Sequence, residues 1–277
     1  MAVAVGKSGV GRNALITGVA NKAGIGQTLV KAFLAEGYRV FGTDIRLLDP
    51  LEGLLNGPEV AGPSGRQPES SPNHREAFHF KQADITRLEE VKSMVQAAAQ
   101  FLGGRIHVVI NNAGRVDPHI AEGSDVIQEF ASFINTNLVG AFNVTAHALE
   151  HMPVGQSSVI HMSSVRALQS EPHTEGYAAA KAGLLGLTHA QAMSLAGKVR
   201  VNAVLPGWID TDPRDDPSSY HPDRTKEEHA IQPVGRVGLP ADIAHMCIFL
   251  SDESKAGFIT GQDFVVDGGV TKMLCYD

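Results

Sequence analysis

Cysteine is nearly absent from this chain of 277 residues, which has only Cys247 and Cys275. Neither lies in a cluster with the spacing of metal ligands, so the sequence predicts no metal site. Two isolated cysteines are typical of free thiols in a reducing compartment. The opening residues, MAVAVGKSGVGRN, hold no apolar run long enough for a secretory leader, and no later run approaches the ~20 residues of a membrane span. We therefore expect a cytoplasmic protein.

Basic stretches are missing as well. The formal net charge is −7 at pH 7, and no run of lysine or arginine offsets it. This balance disfavours nucleic acid and anionic membranes as partners. With 43% hydrophobic and 19% charged residues, the composition is typical of a globular protein with a sizeable core.

Short β-branched stretches alternate with helical patterns along the chain. Seven stretches have the composition of strands: ALITG, RVFGTD, AFHFKQAD, IHVVINNAG, SSVIHMSS, VRVNAVLPG and GQDFVVDGG. Apolar strands separated by helices are typical of a parallel sheet that is buried on both faces. The sequence predicts a single α/β domain over residues 1–277, with a doubly wound parallel sheet of about seven strands.

One segment interrupts this alternation. Residues from about 47 to 76 are rich in Pro, Gly and Ser, whereas connections in α/β units are usually short. We interpret the segment as an irregular surface excursion and a tolerated insertion. A lid or an oligomer contact is the alternative interpretation.

The stretch LITGVANKAGIG predicts a strand, a glycine turn and then a helix. Gly18 would make the turn, Gly24 would let the backbone approach a ligand, and Gly26 would allow close packing of the helix. The N–H groups at a helix N-terminus suit a pyrophosphate. Asp44 ends the next strand, eighteen residues beyond Gly26, near the interval of ~20 that is typical of dinucleotide sites.

Asp44 also bears on which dinucleotide the sequence favours. A carboxylate at this position accepts hydrogen bonds from the ribose hydroxyls and repels a 2′-phosphate. The sequence therefore favours NAD over NADP. Lys22 and Arg46 are the counter-argument, because a basic side chain nearby could hold that phosphate.

The stretch GYAAAKAGLLGL places Tyr177 and Lys181 on one face of a predicted helix, four residues apart. A free tyrosine has a pKa near ~10, and a neighbouring ammonium would lower that pKa. The pair could then move a proton on and off an alcohol oxygen. Ser164 lies thirteen residues before Tyr177 at a strand end, where ligands bind in such folds.

Several motifs occur together in one order: the glycine turn, Asp44, Asp84-Ile85, NNAG, NTNLVGAFNVT, MSS, YAAAK, PGWIDT and GQDFVVDGG. With them, the chain resembles the short-chain dehydrogenase/reductase family of the Tyr-x-x-x-Lys type, from about residue 12 to residue 270. The resemblance implies a Rossmann fold and an oxidoreductase. It would transfer a hydride between NAD(H) and a secondary alcohol or ketone.

The resemblance also implies the site residues. Tyr177 would be the acid/base, Ser164 would hydrogen-bond the substrate oxygen, Lys181 would lower the pKa of Tyr177 and bind the nicotinamide ribose, and Asn137 would hold a relay water. Asp84 would lie against the adenine and Asn111 against the centre of the cofactor. The implied cofactor residues are Gly18, Asn21, Gly24, Ile25, Gly26, Asp44, Asp84, Ile85, Asn111, Ala113, Gly114, Tyr177, Lys181, Pro206, Gly207, Ile209 and Thr211.

The glycine turn departs from the family pattern. Five residues separate Gly18 from Gly24, whereas most of the family has three. A longer turn of this kind is similar to that of enoyl reductases, but their Tyr and Lys lie seven residues apart. The spacing of four here favours a carbonyl or alcohol substrate over enoyl reduction.

By the resemblance, residues from about 208 to 238 form the substrate lid. Between Asp210 and His229 the only large apolar residue is Tyr220, and an apolar ligand needs more apolar contact. A small or polar substrate is therefore favoured, namely a polyol, sugar or hydroxy acid. Candidate substrate contacts are Arg166, His173 and Trp208.

Other interpretations stay open. A hydroxysteroid dehydrogenase and a 3-oxoacyl reductase are alternative enzymes. A sensor that binds a dinucleotide without turnover is disfavoured, because such proteins tend to lose the Tyr or Lys that this chain keeps. The resemblance also implies a homotetramer.

Overall fold

The predicted strands form one sheet in which all neighbouring strands are parallel. The computed structural model describes residues 9, 11–48, 74–117, 123–212 and 223–274. The order across the sheet is β3-β2-β1-β4-β5-β6-β7, which confirms the predicted doubly wound parallel sheet. The strands are β1 (Asn13–Thr17), β2 (Arg39–Asp44), β3 (Phe78–Gln82), β4 (Val108–Asn111), β5 (Ser157–Met162), β6 (Val199–Pro206) and β7 (Asp263–Val266).

Helices connect these strands and cover both faces of the sheet. Within the described residues they are α1 (Ile25–Ala35), α2 (His74–Ala77), α3 (Leu88–Phe101), α4 (Val126–Ile134), α5 (Gly140–Ala148), α6 (Glu175–Ser194), α7 (Lys226–Ala230), α8 (Pro240–Ser251) and α9 (Glu253–Ala256). A π-helix, Asn135–Val139, joins α4 to α5, and short 3-10 turns cover Leu149–His151, Val165–Ala167 and Val270–Lys272.

Two apolar layers form the core, one on each face of the sheet. Successive strand residues point to opposite faces, so Ile16 packs in the layer that contains Phe33 of α1 and Cys247 of α8. Leu15 packs in the other layer, with Met94 of α3. Burying such side chains contributes about 1.5–3 kcal/mol each, which explains the near-continuous apolar runs of the strands.

The described part of the chain bears on three further expectations. Cys247 is a free, fully buried thiol, and its burial raises its pKa; Cys275 lies outside the described residues. Among the described helices, none is long and apolar enough to cross a membrane. Most of the predicted excursion, residues 49–73, is likewise outside, and its last residues belong to α2 rather than to an irregular segment.

The strand order fixes where a ligand can bind. The chain leaves β1 toward β2 and β3 on one side, and it leaves β4 toward β5, β6 and β7 on the other. At such a switch point, a crevice opens outside the carboxyl ends of the central strands.

Candidate active site

A cleft of about 750 Å³ lies at this switch point. It is lined by the glycine turn after β1, the end of β2, the residues after β3 and those after β4. Eleven of the predicted cofactor residues line it: Gly18, Asn21, Gly24, Ile25, Gly26, Asp44, Asp84, Ile85, Ala113, Gly114 and Thr211. The structure does not bring Asn111, Tyr177, Lys181, Pro206, Gly207 or Ile209 into this lining.

The glycine turn has the roles that the sequence predicted for two of its glycines. Gly18 has a φ of 76°, and its N–H donates to the carbonyl of Thr43 over 2.7 Å. A Cβ on Gly26 would lie 1.9 Å from the carbonyl oxygen of Gly18. Only a glycine at position 26 therefore lets the first turn of α1 pack this closely on the loop. Gly24 is the N-cap of α1.

Asp44 joins the end of β2 to this turn. One carboxylate oxygen accepts a hydrogen bond from the N–H of Ala20, and the other accepts one from the N–H of Arg46, both over 2.9 Å. The Arg46 guanidinium lies 3.6 Å from the carboxylate and is two-thirds exposed. Asp44 is thus a fixed negative charge in the cleft wall.

The structure corrects the assignment of Asn111. Its side chain points into the core, where Nδ2 donates to Thr145 Oγ1 over 2.8 Å. Asn112 lies in the cleft instead, and its Nδ2 donates to the carbonyls of Thr17 and Gly18 over 3.0 Å. Strand alternation gave no signal for this, because residues on both faces of β4 are buried.

Asn111 belongs to a buried polar cluster that the sequence analysis missed. Its Nδ2 lies 3.2 Å from Nδ1 of His161, and Nε2 of His161 lies 2.9 Å from the side-chain oxygen of Gln191. Burial lowers the pKa of His161 to about 4, so the ring is neutral near pH 7. The cluster ties β4 and β5 to α5 and α6. No local sequence signal marks it, because its members are far apart in the chain.

Ser164, Tyr177 and Lys181 converge beyond the end of β5. The 3-10 turn that Ser164 caps packs on α6, and a hydrogen bond with Ser164 is among the causes that lower the pKa of Tyr177. Lys181 is buried, and its Nζ donates to the carbonyl of Met162 over 2.8 Å and lies 5.5 Å from the centre of the Tyr177 ring. The predicted spacing on α6 therefore places both side chains on the face that meets the strand end.

The pKa values of Tyr177 and Lys181 are both shifted by burial, which the sequence analysis did not anticipate. Burial raises the pKa of Tyr177, while the hydrogen bond from Ser164 and the charge of Arg166 lower it. Burial also lowers the pKa of Lys181 to about 8. The pKa of Tyr177 is thus raised by burial, whereas the sequence led us to expect that Lys181 would lower it. The Lys181 ammonium faces the ring of Tyr177 and the main-chain carbonyl of Met162.

Asn137 lies in the π-helix, an irregularity that occurs often at functional sites. It is 1% exposed, and its side chain binds both main-chain groups of Arg115. Oδ1 accepts from the N–H of Arg115 over 2.7 Å, and Nδ2 donates to its carbonyl over 3.1 Å. Asn137 therefore fixes the backbone that follows the NNAG motif.

Arg115 is a cleft residue that the sequence analysis did not identify. Its guanidinium lies 2.6 Å from a carboxylate oxygen of Glu129 and 4.1 Å from the ring centre of Phe133. Phe133 in turn meets the Tyr177 ring edge-on, with ring centres 6.1 Å apart. Gly176 permits this packing, because a Cβ there would lie 2.9 Å from the Phe133 ring.

The predicted substrate residues lie in three different settings. The side chain of Arg166 forms an ion pair with Glu171, and the main-chain N–H of Arg166 donates to Ser164 Oγ over 3.2 Å. His173 is exposed just before α6, with a φ of 66°. Trp208 is 37% exposed and lies under the guanidinium of Arg224.

The predicted lid is described at both ends, while residues 213–222 with Tyr220 lie outside the described part. Pro206 ends β6, and the N–H of Gly207 donates to β7 over 3.0 Å. Ile209 pairs with Gly238, which closes the base of the segment. Arg224 also joins the two ends, since it binds Asp210, Asp212 and Glu228.

Comparisons with known proteins identify the family to which the chain belongs. A family model described as enoyl-(acyl carrier protein) reductase matches residues 65–271. An uncharacterized oxidoreductase of Thermotoga maritima is 41% identical over 202 residues, which cover 72% of this chain and 78% of that protein. A 3-oxoacyl-[acyl-carrier-protein] reductase FabG of the same organism is 33% identical over 265 residues, covering 94% and 98%.

Solved structures share the fold over nearly the whole chain. An apo SCOR enzyme from Clostridium thermocellum has a TM-score of 0.75 at 30% identity, covering 96% of this chain and 95% of that one. A short-chain dehydrogenase/reductase, described as glucose/ribitol dehydrogenase, from Brucella melitensis has a TM-score of 0.77 at 26% identity, covering 95% and 98%. By the family match, the relatives and the parallel seven-stranded sheet, the chain belongs to the short-chain dehydrogenase/reductase family of oxidoreductases, which use nicotinamide dinucleotides.

Proposed function

We propose that this oxidoreductase transfers a hydride between NAD(H) and a secondary alcohol or ketone, with a small or polar substrate. The observation that carries the proposal is the convergence of Ser164, Tyr177 and Lys181 beyond the end of β5. A hydroxyl, a phenol and an ammonium can bind a substrate oxygen and exchange a proton with it.

The residues of the cleft fit a dinucleotide. Gly18, Gly24 and Gly26 line the cleft at the N-terminus of α1, where the main-chain N–H groups of the first helical turn would take the pyrophosphate. Asp84 and Ile85 line the cleft where the adenine would lie, and Lys181 would hold the nicotinamide ribose. The bound nicotinamide would supply or accept the hydride.

The proton follows a path through this chain's own side chains. Ser164 Oγ would donate to the substrate oxygen, which holds it near the Tyr177 hydroxyl. In reduction, Tyr177 gives its proton to the alkoxide oxygen that forms, and in oxidation it takes the proton from the alcohol. Asn137 would hold a water that returns the proton to solvent, and it also fixes Arg115 beside the site.

Asp44 supports NAD over NADP as the cofactor. Its carboxylate is fixed by two main-chain N–H groups and lies in the cleft wall. A 2′-phosphate placed near it would be repelled. Arg46 is held near the same carboxylate, which reduces its availability for a phosphate.

The charged residues around the site support a polar substrate. Arg115 and Asp117 line the cleft, and the base of the lid carries Asp210, Asp212 and Arg224. An alternative is reduction of a 3-oxoacyl thioester, since relatives with that activity in their names match 94% of this chain. Enoyl reduction is disfavoured by the Tyr–Lys spacing of four.

The test is an absorbance assay of the reduced cofactor, run with NAD and NADP in parallel. The panel holds polyols, sugars, hydroxy acids, hydroxysteroids and hydroxyacyl thioesters, with Tyr177→Phe as the inactive control. NAD-dependent turnover of a polar alcohol is the expected result. Turnover only with NADP, or only with steroids or thioesters, would contradict the proposed specificity. A Tyr177→Phe protein that keeps its biological role would favour a non-enzymatic sensor.

We also propose that the protein is a cytoplasmic homotetramer. A free buried thiol fits a reducing compartment. Exposed apolar side chains lie on α4 and on the π-helix and α5 that follow it: Val126, Ile127, Phe130, Val139 and Phe142. An apolar surface of this kind is typical of a subunit interface. Light scattering after size exclusion measures the mass; a monomer would contradict the assembly.

A further inference from the structure

We propose that Arg224 is a positioning residue that holds residues 208–212 in place, so that Thr211 meets the nicotinamide half of a bound dinucleotide without first being ordered. The proposal rests on the part of the proposed function that places a dinucleotide in the cleft. It does not depend on which substrate reacts or on the role of Tyr177. The contacts of Arg224 with both ends of the predicted lid carry it.

Residues 208–212 reach the cleft from the side opposite the expected adenine. They follow β6, which lies beside β5, whereas Asp44 ends β2 and Asp84 follows β3 on the other side of the switch point. Ser164 follows β5, and Thr211 lines the cleft. Thr211 therefore lies toward the end of the cleft where the nicotinamide half would bind.

The first part of this segment is fixed through its main chain. The N–H of Gly238 donates to the carbonyl of Trp208 over 3.0 Å, and the N–H of Asp210 donates to the carbonyl of Gly238 over 2.9 Å. The N–H of Asp212 donates to the carboxylate of Asp210 over 3.4 Å. The position of the Asp210 side chain thus determines where the next residues lie.

Arg224 holds that side chain from the other end of the predicted lid. Its Nη2 lies 3.3 Å from Oδ1 of Asp210 and also binds the carboxylate of Asp212. Its Nη1 lies 3.1 Å from a carboxylate oxygen of Glu228. Glu228 is fixed in turn, since it shares a capping box with Thr225 at the start of α7. One guanidinium therefore ties the segment after β6 to α7.

Burial makes the contact with Asp210 the most consequential of these. The Asp210 side chain is 0% exposed, and that of Arg224 is 17% exposed. A carboxylate buried this deeply is destabilised when a close cation is removed, so we expect Asp210 to turn toward water in the absence of Arg224. The guanidinium also lies 5.3 Å from the centre of the Trp208 ring and covers part of it.

A segment that is not held must be ordered when a ligand binds, which reduces the affinity. The reduction applies to a ligand that contacts the segment. It does not apply to one that occupies only the adenosine end of the cleft. Loss of Arg224 should therefore weaken binding of NAD but spare that of AMP. A variant that is merely less well folded would bind both more weakly.

The experiment is calorimetry of NAD and AMP on the purified full chain and on Arg224→Gln. The affinity for NAD should fall about tenfold, and that for AMP should change less than about twofold. If NADP binds the wild type more tightly, NADP and adenosine 2′,5′-bisphosphate replace the two ligands. A wrong assignment of the cofactor therefore does not affect the test.

A spectroscopic measurement reads the segment itself without ligand. Trp208 is the only tryptophan of the chain, so the tryptophan fluorescence comes from this segment. Quenching by acrylamide should increase about twofold in Arg224→Gln, because the guanidinium no longer covers the ring. Far-UV circular dichroism confirms that the variant is folded.

Two control variants separate positioning from a change of charge. Arg236 forms an ion pair with Asp242 over 2.7 Å, so Arg236→Gln makes the same charge change elsewhere in the predicted lid. It should leave quenching and both affinities unchanged. Arg224→Lys keeps the charge but replaces the planar group that bridges the carboxylates, so it should restore only part of the NAD affinity.

Unchanged quenching, an equal loss of NAD and AMP affinity, or full recovery in Arg224→Lys would overturn the proposal. If Arg224→Gln does not fold, Asp212→Asn decides instead, since it removes one exposed anchor and should weaken NAD about threefold. An unchanged NAD affinity in Asp212→Asn would then overturn it. All readouts are made without turnover, so failure of the proposed reaction in the substrate panel is distinguished from failure here.

Discussion

Two regions of the molecule are built in different ways: the glycine-turn region, residues 18–26 with Asp44, and the proposed catalytic region, Ser164, Tyr177 and Lys181. In the first, main-chain groups make most of the contacts, and the one buried carboxylate is held by two backbone N–H groups. In the second, a hydroxyl, a phenol and an ammonium from separate turns of the chain converge, and burial shifts the pKa of both Tyr177 and Lys181.

In the proposed function, this difference separates cofactor binding from proton transfer. A backbone cradle depends on the space that glycine leaves, so it tolerates no added Cβ at its tightest point. A set of buried ionisable side chains costs folding energy but makes proton transfer available. Substitutions in the two regions should therefore fail in different measurements.

The largest expected effect is that of Tyr177→Phe, which should lower turnover but leave dinucleotide affinity nearly unchanged. Tyr177→Phe removes the only phenol of the catalytic region and should reduce turnover about 10³-fold. The affinity for the dinucleotide, measured by calorimetry, should change less than about twofold, since Tyr177 does not line the cleft. Turnover within a few-fold of the wild type would show that another group exchanges the proton.

The same substitution should have opposite effects on stability at Gly26 in the glycine turn and at Gly186 on α6. A Cβ at Gly26 meets the Gly18 carbonyl at 1.9 Å, so Gly26→Ala should destabilise the fold by about 3 kcal/mol and weaken dinucleotide binding. Gly186 on α6 has open space around it, so Gly186→Ala should stabilise by up to about 1 kcal/mol. Urea unfolding measures both. Equal effects would contradict the account of the glycine turn.

Burial of Lys181 should make the free energy of unfolding depend on pH. Burial lowers its pKa from 10.5 to about 8, so between these values the unfolded chain binds more protons than the folded one. Stability must then rise with pH in that window. The free energy of unfolding should increase by about 2 kcal/mol between about pH 7.5 and 9.5.

The matched variant for this prediction is Lys181→Met. It should lack the increase, and should be at least as stable as the wild type near pH 7, apart from the lost hydrogen bond to Met162. Urea unfolding at several pH values tests this. Parallel pH curves for the two proteins would show that another group causes the rise.

The sequence predicted the local features of both regions better than the contacts between distant segments. The glycine turn, Asp44 and the Tyr177–Lys181 spacing are each contained in a short stretch, so periodicity and composition revealed them. Two adjacent asparagines carry no such signal, and the core face of Asn111 became evident only from its contact with Thr145, 34 residues away.

Burial was the other quantity that local patterns did not provide. The expected lowering of the Tyr177 pKa by Lys181 did not include burial, which raises the pKa of Tyr177 and lowers that of Lys181 to about 8. How deeply the two side chains are buried depends on how α6 packs against β5, which spacing alone does not determine.

The smallest predicted effect tests the carboxylate of the glycine-turn region. Asp44→Asn keeps the shape and removes the charge that would repel a 2′-phosphate, so the ratio of NADP to NAD affinity should rise about tenfold. Asp84→Asn is the matched control in the same cleft. Because Asp84 is expected against the adenine, which both dinucleotides share, its variant should change both affinities equally. An unchanged ratio in Asp44→Asn would mean that a group other than this carboxylate selects the cofactor.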